Sequence, residues 1–130
     1  MQLCGNQIAG CEAAVHAVRE MFNDEGTQGV LLVDATNAFN SLNRNVALHN
    51  IQFNCPEIAT ILINTYRRLP MLMIDRQELL SEEGTTQGDP LSMPMYAISI
   101  LPLIRWLASD DVQQVWYTDD ATAIGKLHVL

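Results

Sequence analysis

Two adjacent carboxylates, Asp119 and Asp120, stand between apolar stretches in Val115-Trp116-Tyr117-Thr118-Asp119-Asp120-Ala121-Thr122-Ala123, and a third, Asp34, ends the apolar run Val30-Leu31-Leu32-Val33. A tight hairpin would lift the pair out of a sheet, and a strand end would carry Asp34. Between them in the chain lies Gln87-Gly88-Asp89-Pro90-Leu91-Ser92. Hard carboxylate oxygens suit Mg²⁺, which keeps some waters and commonly takes one or two carboxylates plus substrate phosphates. Two such ions about 4 Å apart lower the pKa of an attacking hydroxyl and neutralise the leaving oxygens of an in-line displacement, which is the chemistry of nucleotidyl transfer. Each residue also has a plainer reading. Asp is common in tight turns for its backbone hydrogen bonds, and a strand-end Asp can cap the segment that follows. Three like charges at one sheet edge, however, repel one another unless a cation lies among them.

The elements that must position these residues follow from apolar spacing. Ile8, Cys11, Val15, Val18 and Phe22 recur every three or four residues, which predicts an amphipathic helix ended by Asn23-Asp24-Glu25-Gly26. Gly29 to Asp34 is an uninterrupted apolar run, expected to be a strand covered on both faces in the middle of a sheet. Leu42, Val46, Leu48 and Ile51 predict another helix. A further one starts at Asn54, with Pro56 in its first turn and Glu57 at capping-box spacing, and ends near Leu69 ahead of Pro70. Met71 to Ile74 and Glu78 to Glu82 read as strands around Asp75-Arg76-Gln77. Asp89 is placed to cap a buried helix whose first residue is Pro90. Val112 to Tyr117 and Ala121 to Leu127 flank Thr118-Asp119-Asp120 as a hairpin. This order suits an α+β sandwich, with helices on one face of a mainly antiparallel sheet.

Composition bounds the function. The 130 residues are one domain's worth, 48% hydrophobic, so one compact unit with its own core is expected. Seven Lys and Arg against fifteen Asp and Glu give a net charge of −8, the wrong sign for a free-standing nucleic-acid binder. Cys4, Cys11 and Cys55 lack the spacing of a zinc site, so no zinc is expected, and small buried thiols in a reducing compartment are. No stretch approaches the roughly 20 apolar residues of a membrane span. The run Leu91 to Leu107 is broken by Pro94, Pro102 and Arg105 and reads as a buried core helix. No signal peptide is legible at Met1. The expectation is an intracellular protein, nuclear or cytoplasmic, with no membrane partner.

Asp34-Ala35-Thr36-Asn37-Ala38-Phe39-Asn40 resembles motif A of reverse transcriptases, Gln87 to Ser92 resembles motif B, and Tyr117 to Asp120 resembles motif C. The three stand in the family's order over roughly three quarters of the chain. The likeness is greatest to the retrotransposon and group II intron side of the family. It implies a polymerase palm and RNA-directed DNA synthesis with an RNA template, a DNA primer, dNTP substrates and two Mg²⁺ ions, for which Mn²⁺ can substitute. Asp34 and Asp119 would be the principal ligands, with Asp120 beside them and the backbone carbonyl of Ala35 completing the site. Phe39 falls where the family excludes a ribose 2′-hydroxyl, although an aromatic there also packs a core. Gln87 and Gly88 fall where the family lines the nucleotide and template pocket, Gly permitting close backbone approach; the same turn also serves simply to start a helix. Tyr117 would lie beneath the primer end.

The chain departs from the pattern in two residues. Asn40 stands where many relatives have Asp, and Asn37 where many have Lys. In the family, basic fingers segments precede the position of Met1, and later palm motifs and a thumb follow that of Leu130. The chain therefore resembles a palm fragment, expected to have negligible polymerase activity by itself. Arg67, Arg68 and Arg76 are the candidate nucleic-acid contacts. The competing readings are an RNA-dependent RNA polymerase palm, a decayed or domesticated palm kept as an interaction module, and a truncated mobile-element copy.

Overall fold

A computed structural model describes residues 8–86 and 88–130 as an α+β chain whose strand pairs are all antiparallel among the described residues. Cys4 and Gln87 lie outside the described residues. The elements are α1 (Gly10–Phe22), β1 (Gly29–Val33), α2 (Ala38–Ser41), α3 (Arg44–Asn54), α4 (Pro56–Tyr66), β2 (Met71–Ile74), β3 (Gln77–Leu80), α5 (Ser92–Ser99), α6 (Leu101–Trp106), β4 (Val112–Tyr117) and β5 (Asp120–Gly125). Within the length of one domain, the chain resolves into two compact units. One combines Met1–Ala35 with Leu103–Leu130, and the other is the continuous segment Thr36–Pro102.

The first unit is built on a sheet of order β1-β5-β4. The central strand is β5. The expected central strand, β1, lies instead at an edge, and Val30 to Val33 are exposed. An unbroken apolar run carries no period, so it cannot say which face or edge is covered. Helix α1 packs on β4 and β5, over the buried Val115 and Ile124. Its covered stripe is Gly10, Ala14, Ala17, Val18 and Met21, while Ile8, Cys11, Val15 and Phe22, expected on that face, are exposed. Gly10, Ala14 and Ala17 are small enough to let the helix approach closely, with Val18 and Met21 completing the stripe. Cys11 is thus an exposed free thiol rather than a buried one, and Cys55 is half-buried.

In the second unit α3 packs on α4 and α5. Ala47, Leu48, Ile51, Ala59, Leu62, Tyr66 and Met95 form the core. Cys55, not Asn54, precedes α4, because the Asn54 amide turns back to donate to the Asn50 carbonyl at 2.8 Å. Helix α4 ends at Tyr66, a turn short of Leu69. The β2–β3 hairpin closes through two residues, Asp75 (φ 51°) and Arg76 (φ 67°), the left-handed pair of a type I′ turn. The run from Leu91 to Leu107 is two helices. Pro94 falls in the first turn of α5 and Pro102 in that of α6, where a missing N–H costs nothing. Helix α5 buries Ser92, Met95, Tyr96 and Ser99, whereas α6 buries no residue. Asp89 does not start a helix at Pro90: its Oδ1 accepts from the Leu91 amide at 2.8 Å, and α5 begins at Ser92. Among the described residues no helix is long and apolar enough to cross a membrane.

Candidate active site

The register of the first unit gathers the candidate carboxylates. Val33 is the last residue of β1 and pairs with Ala121, so Asp34 leaves β1 at the edge where Asp120 begins β5. Tyr117 pairs with Asp120, and Thr118-Asp119 is the whole hairpin loop. Asp120 is therefore a strand residue rather than part of the turn. Asp34, Asp119 and Asp120 all belong to this edge of the first unit; Asp34 and Asp120 are exposed and Asp119 is half-buried. Thr118 holds φ at 58°, left-handed backbone that a β-branched residue rarely adopts, which marks the loop as strained. Alternation along the strands sends Tyr117, Asp120, Val115 and Thr122 to the α1 face. There they line an apolar cleft of about 430 Å³ together with Val30 and, from α1, Val15, Val18, Arg19 and Phe22. The opposite face carries the buried Trp116 and Ala121. The Trp116 indole donates to Gln114, whose amide donates to the Leu107 carbonyl at 2.7 Å.

No family model matches the chain, and a search of curated proteins finds no match. Among the described residues no three His, Cys, Asp or Glu side chains converge closely enough to hold a metal by themselves. Hard oxygens spread along one exposed edge fit Mg²⁺ completed by water and substrate phosphates better than a closed protein cage. Ala35, half-buried, follows Asp34 in the same unit.

The remaining candidates belong to the second unit. Phe39, in α2 and half-buried, sets its ring against the buried Tyr96 of α5 with centroids 4.7 Å apart. Asn37 and Asn40 bond each other: the Asn40 amide donates to the Asn37 Oδ1 at 2.8 Å. The Thr85 and Gly84 amides donate to the Phe39 and Leu42 carbonyls, both at 2.8 Å, which joins the segment ahead of Gly88 onto α2 and the residue that follows it. A Cβ on Gly84 would lie 2.5 Å from the backbone of Asn40 and Phe39, and its φ is +70°. Gly88 is exposed with φ +89° and open space around it. Arg67, Arg68 and Arg76 are exposed.

Sequence reasoning passed over Arg44, which is 3% exposed. Its guanidinium donates to the carbonyls of Ser81 (2.6 Å), Glu83 (2.7 Å) and Gly84 (2.9 Å) and to the Ser81 hydroxyl (2.8 Å). The cation also lies 5.9 Å from the Tyr66 ring centre. The Tyr66 hydroxyl donates to Asp89. Burial, followed by the hydrogen bond and charge of Asp89, pushes the Tyr66 phenol up to about 12. One signal was available: Arg44, Leu48 and Ile51 stand at i, i+4 and i+7, the spacing of one helix face.

Proposed function

We propose that this chain supplies the palm of an RNA-directed DNA polymerase, acting on a primer 3′-hydroxyl and dNTP with an RNA template. The observation that carries the reading is the β1–β5–β4 register, which brings Asp34, Asp119 and Asp120 to one edge of an antiparallel sheet from chain positions far apart. Asp34 and Asp119 would hold two Mg²⁺ ions, with Asp120 and the Ala35 carbonyl beside them. When bound, the ions activate the primer hydroxyl and neutralise the triphosphate. The chain's own contribution is placement: the strained Thr118 turn fixes where Asp119 projects, and the Val33–Ala121 pair fixes Asp34 against Asp120. Template, primer and nucleotide must be held together for catalysis, and an acidic chain of this kind binds the first two weakly. Negligible synthesis by the isolated chain is expected.

The test is Mn²⁺ and Mg²⁺ calorimetry of the parent, Asp34→Asn and Asp119→Asn. Binding in the parent that weakens at least tenfold in both variants supports the palm. Parent binding that both variants retain in full places the ions elsewhere and sinks the reading. One observation favours a second reading. The Phe39 ring packs against Tyr96, which accounts for an aromatic there without sugar selection and favours, as the second reading, an RNA-dependent RNA polymerase palm. Separate titrations with Mg²⁺–dTTP and Mg²⁺–UTP distinguish them by the preferred sugar.

A further inference from the structure

The sheet of the first unit leaves one strand edge unguarded. Strand β1 stands at the end of the order β1-β5-β4, so one side of its backbone is bonded to β5 and the other meets no strand among the described residues. Unpaired N–H and C=O groups along an edge are a template for a further strand, and proteins blunt such edges with charge, proline, a bulge or a covering segment. Strand β1 has none of the first three. Its sequence, Gly-Val-Leu-Leu-Val, carries no charge and no proline, and its register with β5 runs one to one from Gly29–Gly125 to Val33–Ala121. Cover is also slight: α1 packs on β4 and β5, and Val30 to Val33 are exposed, Leu32 to 73%. The other edge of the sheet differs. There the chain ahead of β4 folds back on it, through the Gln114 amide, which donates to the Leu107 carbonyl at 2.7 Å, and the Ser109–Val112 bridge.

We propose that β1 is a self-association edge, through which two copies of this chain pair antiparallel about a two-fold axis at Leu31 and join their sheets into one. Charge and register select a second copy as the occupant. Two-fold pairing at Leu31 sets Gly29 opposite Val33, Val30 opposite Leu32 and Leu31 opposite itself. Opposed residues point to the same face, so the exposed Leu32 of each copy is laid beside Val30 of the other. The next positions outward set Gln28 against Asp34 and Thr27 against Ala35, a neutral amide donor facing each carboxylate. A chain of net charge −8 repels its own copies over most approaches, whereas this register opposes no two like charges. The pair is also closed, because each copy spends the one unguarded edge of its sheet on an isologous contact. It needs neither metal nor nucleotide and stands apart from the polymerase reading.

The experiment is sedimentation equilibrium of the whole chain, parent and variants, with circular dichroism to check that each is folded. The parent is expected to form a dimer at micromolar concentration and no larger species. Leu32 is the most exposed residue of β1, so Leu32→Lys should fold as the parent does while its dimer weakens at least tenfold. Gln28→Glu keeps the Oε1 that accepts from the Leu127 amide at 3.3 Å but sets a carboxylate against Asp34. It should weaken the dimer severalfold, and adding Asp34→Asn should restore it. A general loss of fold stability would not be rescued in that way. A parent that stays monomeric at about 100 μM overturns the proposal. A dimer that Leu32→Lys and Gln28→Glu both leave intact also overturns it, moving the contact to another surface such as the exposed β2–β3 ribbon. Growth into larger assemblies that bind thioflavin T overturns the closed pair, since such an edge adds strands without limit. Should Leu32→Lys not fold, Gln28→Glu and its rescue decide alone.

Discussion

Single residues in this chain are pinned chiefly by backbone approach. Gly84 and Gly88 both hold left-handed backbone, yet only Gly84 is also enclosed, with the Asn40 and Phe39 backbones where a Cβ would stand. Ala at Gly84 must therefore bear both the conformational cost and a backbone displacement, together about 3 kcal/mol. Ala at Gly88 meets only the first, about 1 kcal/mol. Urea denaturation of the two variants should rank them in that order. Equal costs would show that the pairing of residues 84–85 with residues 39–42 is not tight in solution. The places of Asp34 just past a strand and of Asp119 and Asp120 at a hairpin were legible because the signals are local: an apolar run that ends in Asp and a polar turn between two apolar stretches. Arg44 was not, because one charged residue within a helical pattern reads as solvated unless its place on the apolar face is weighed against its neighbours.

Elements were legible where a period or a turn residue spoke for them and illegible where partners decide. The hairpin β4–β5 and helix α4 fall within a few residues of the sequence reading, since alternation and Pro56 mark them. The edge position of β1 and the turned face of α1 depend on what lies opposite, which a linear pattern does not encode. Helix α4 makes a pH prediction of its own through Tyr66. Its folded phenol ionises at about 12 against 10.0 for an unperturbed Tyr, so folding favours the protonated form. That contribution is whole below pH 10 and is lost as the pH rises toward 12, up to about 2 kcal/mol. Chemical denaturation across that range should show a fall in stability that Tyr66→Phe abolishes, with phenolate absorbance rising over the same interval. A parent and variant that fall in parallel would mean that Tyr66 titrates like an exposed residue.

At the scale of the molecule, the two units differ in how the chain builds them. The second is continuous, with its whole core, from Ala47 to Met95, and the β2–β3 pair inside Thr36–Pro102. The first needs both ends of the chain, because β1 finds its partner only in β5, about ninety residues later. Its sheet therefore carries a long loop-closure cost that the helices of the second unit do not bear. A fragment of residues 36–102 should accordingly keep the helical signal of α3, α4 and α5 in circular dichroism and unfold cooperatively, although a segment of that length is near the lower limit for an independent core. It should bind no Mn²⁺ by calorimetry, since Asp34, Asp119 and Asp120 are all outside it. Residues 1–102, by contrast, keep β1 without β4 or β5 and should add helix from α1 but no strand signal. A disordered 36–102 fragment would show that the second unit draws its stability from the rest of the chain. Strong Mn²⁺ binding by that fragment would move the metal away from the sheet edge altogether.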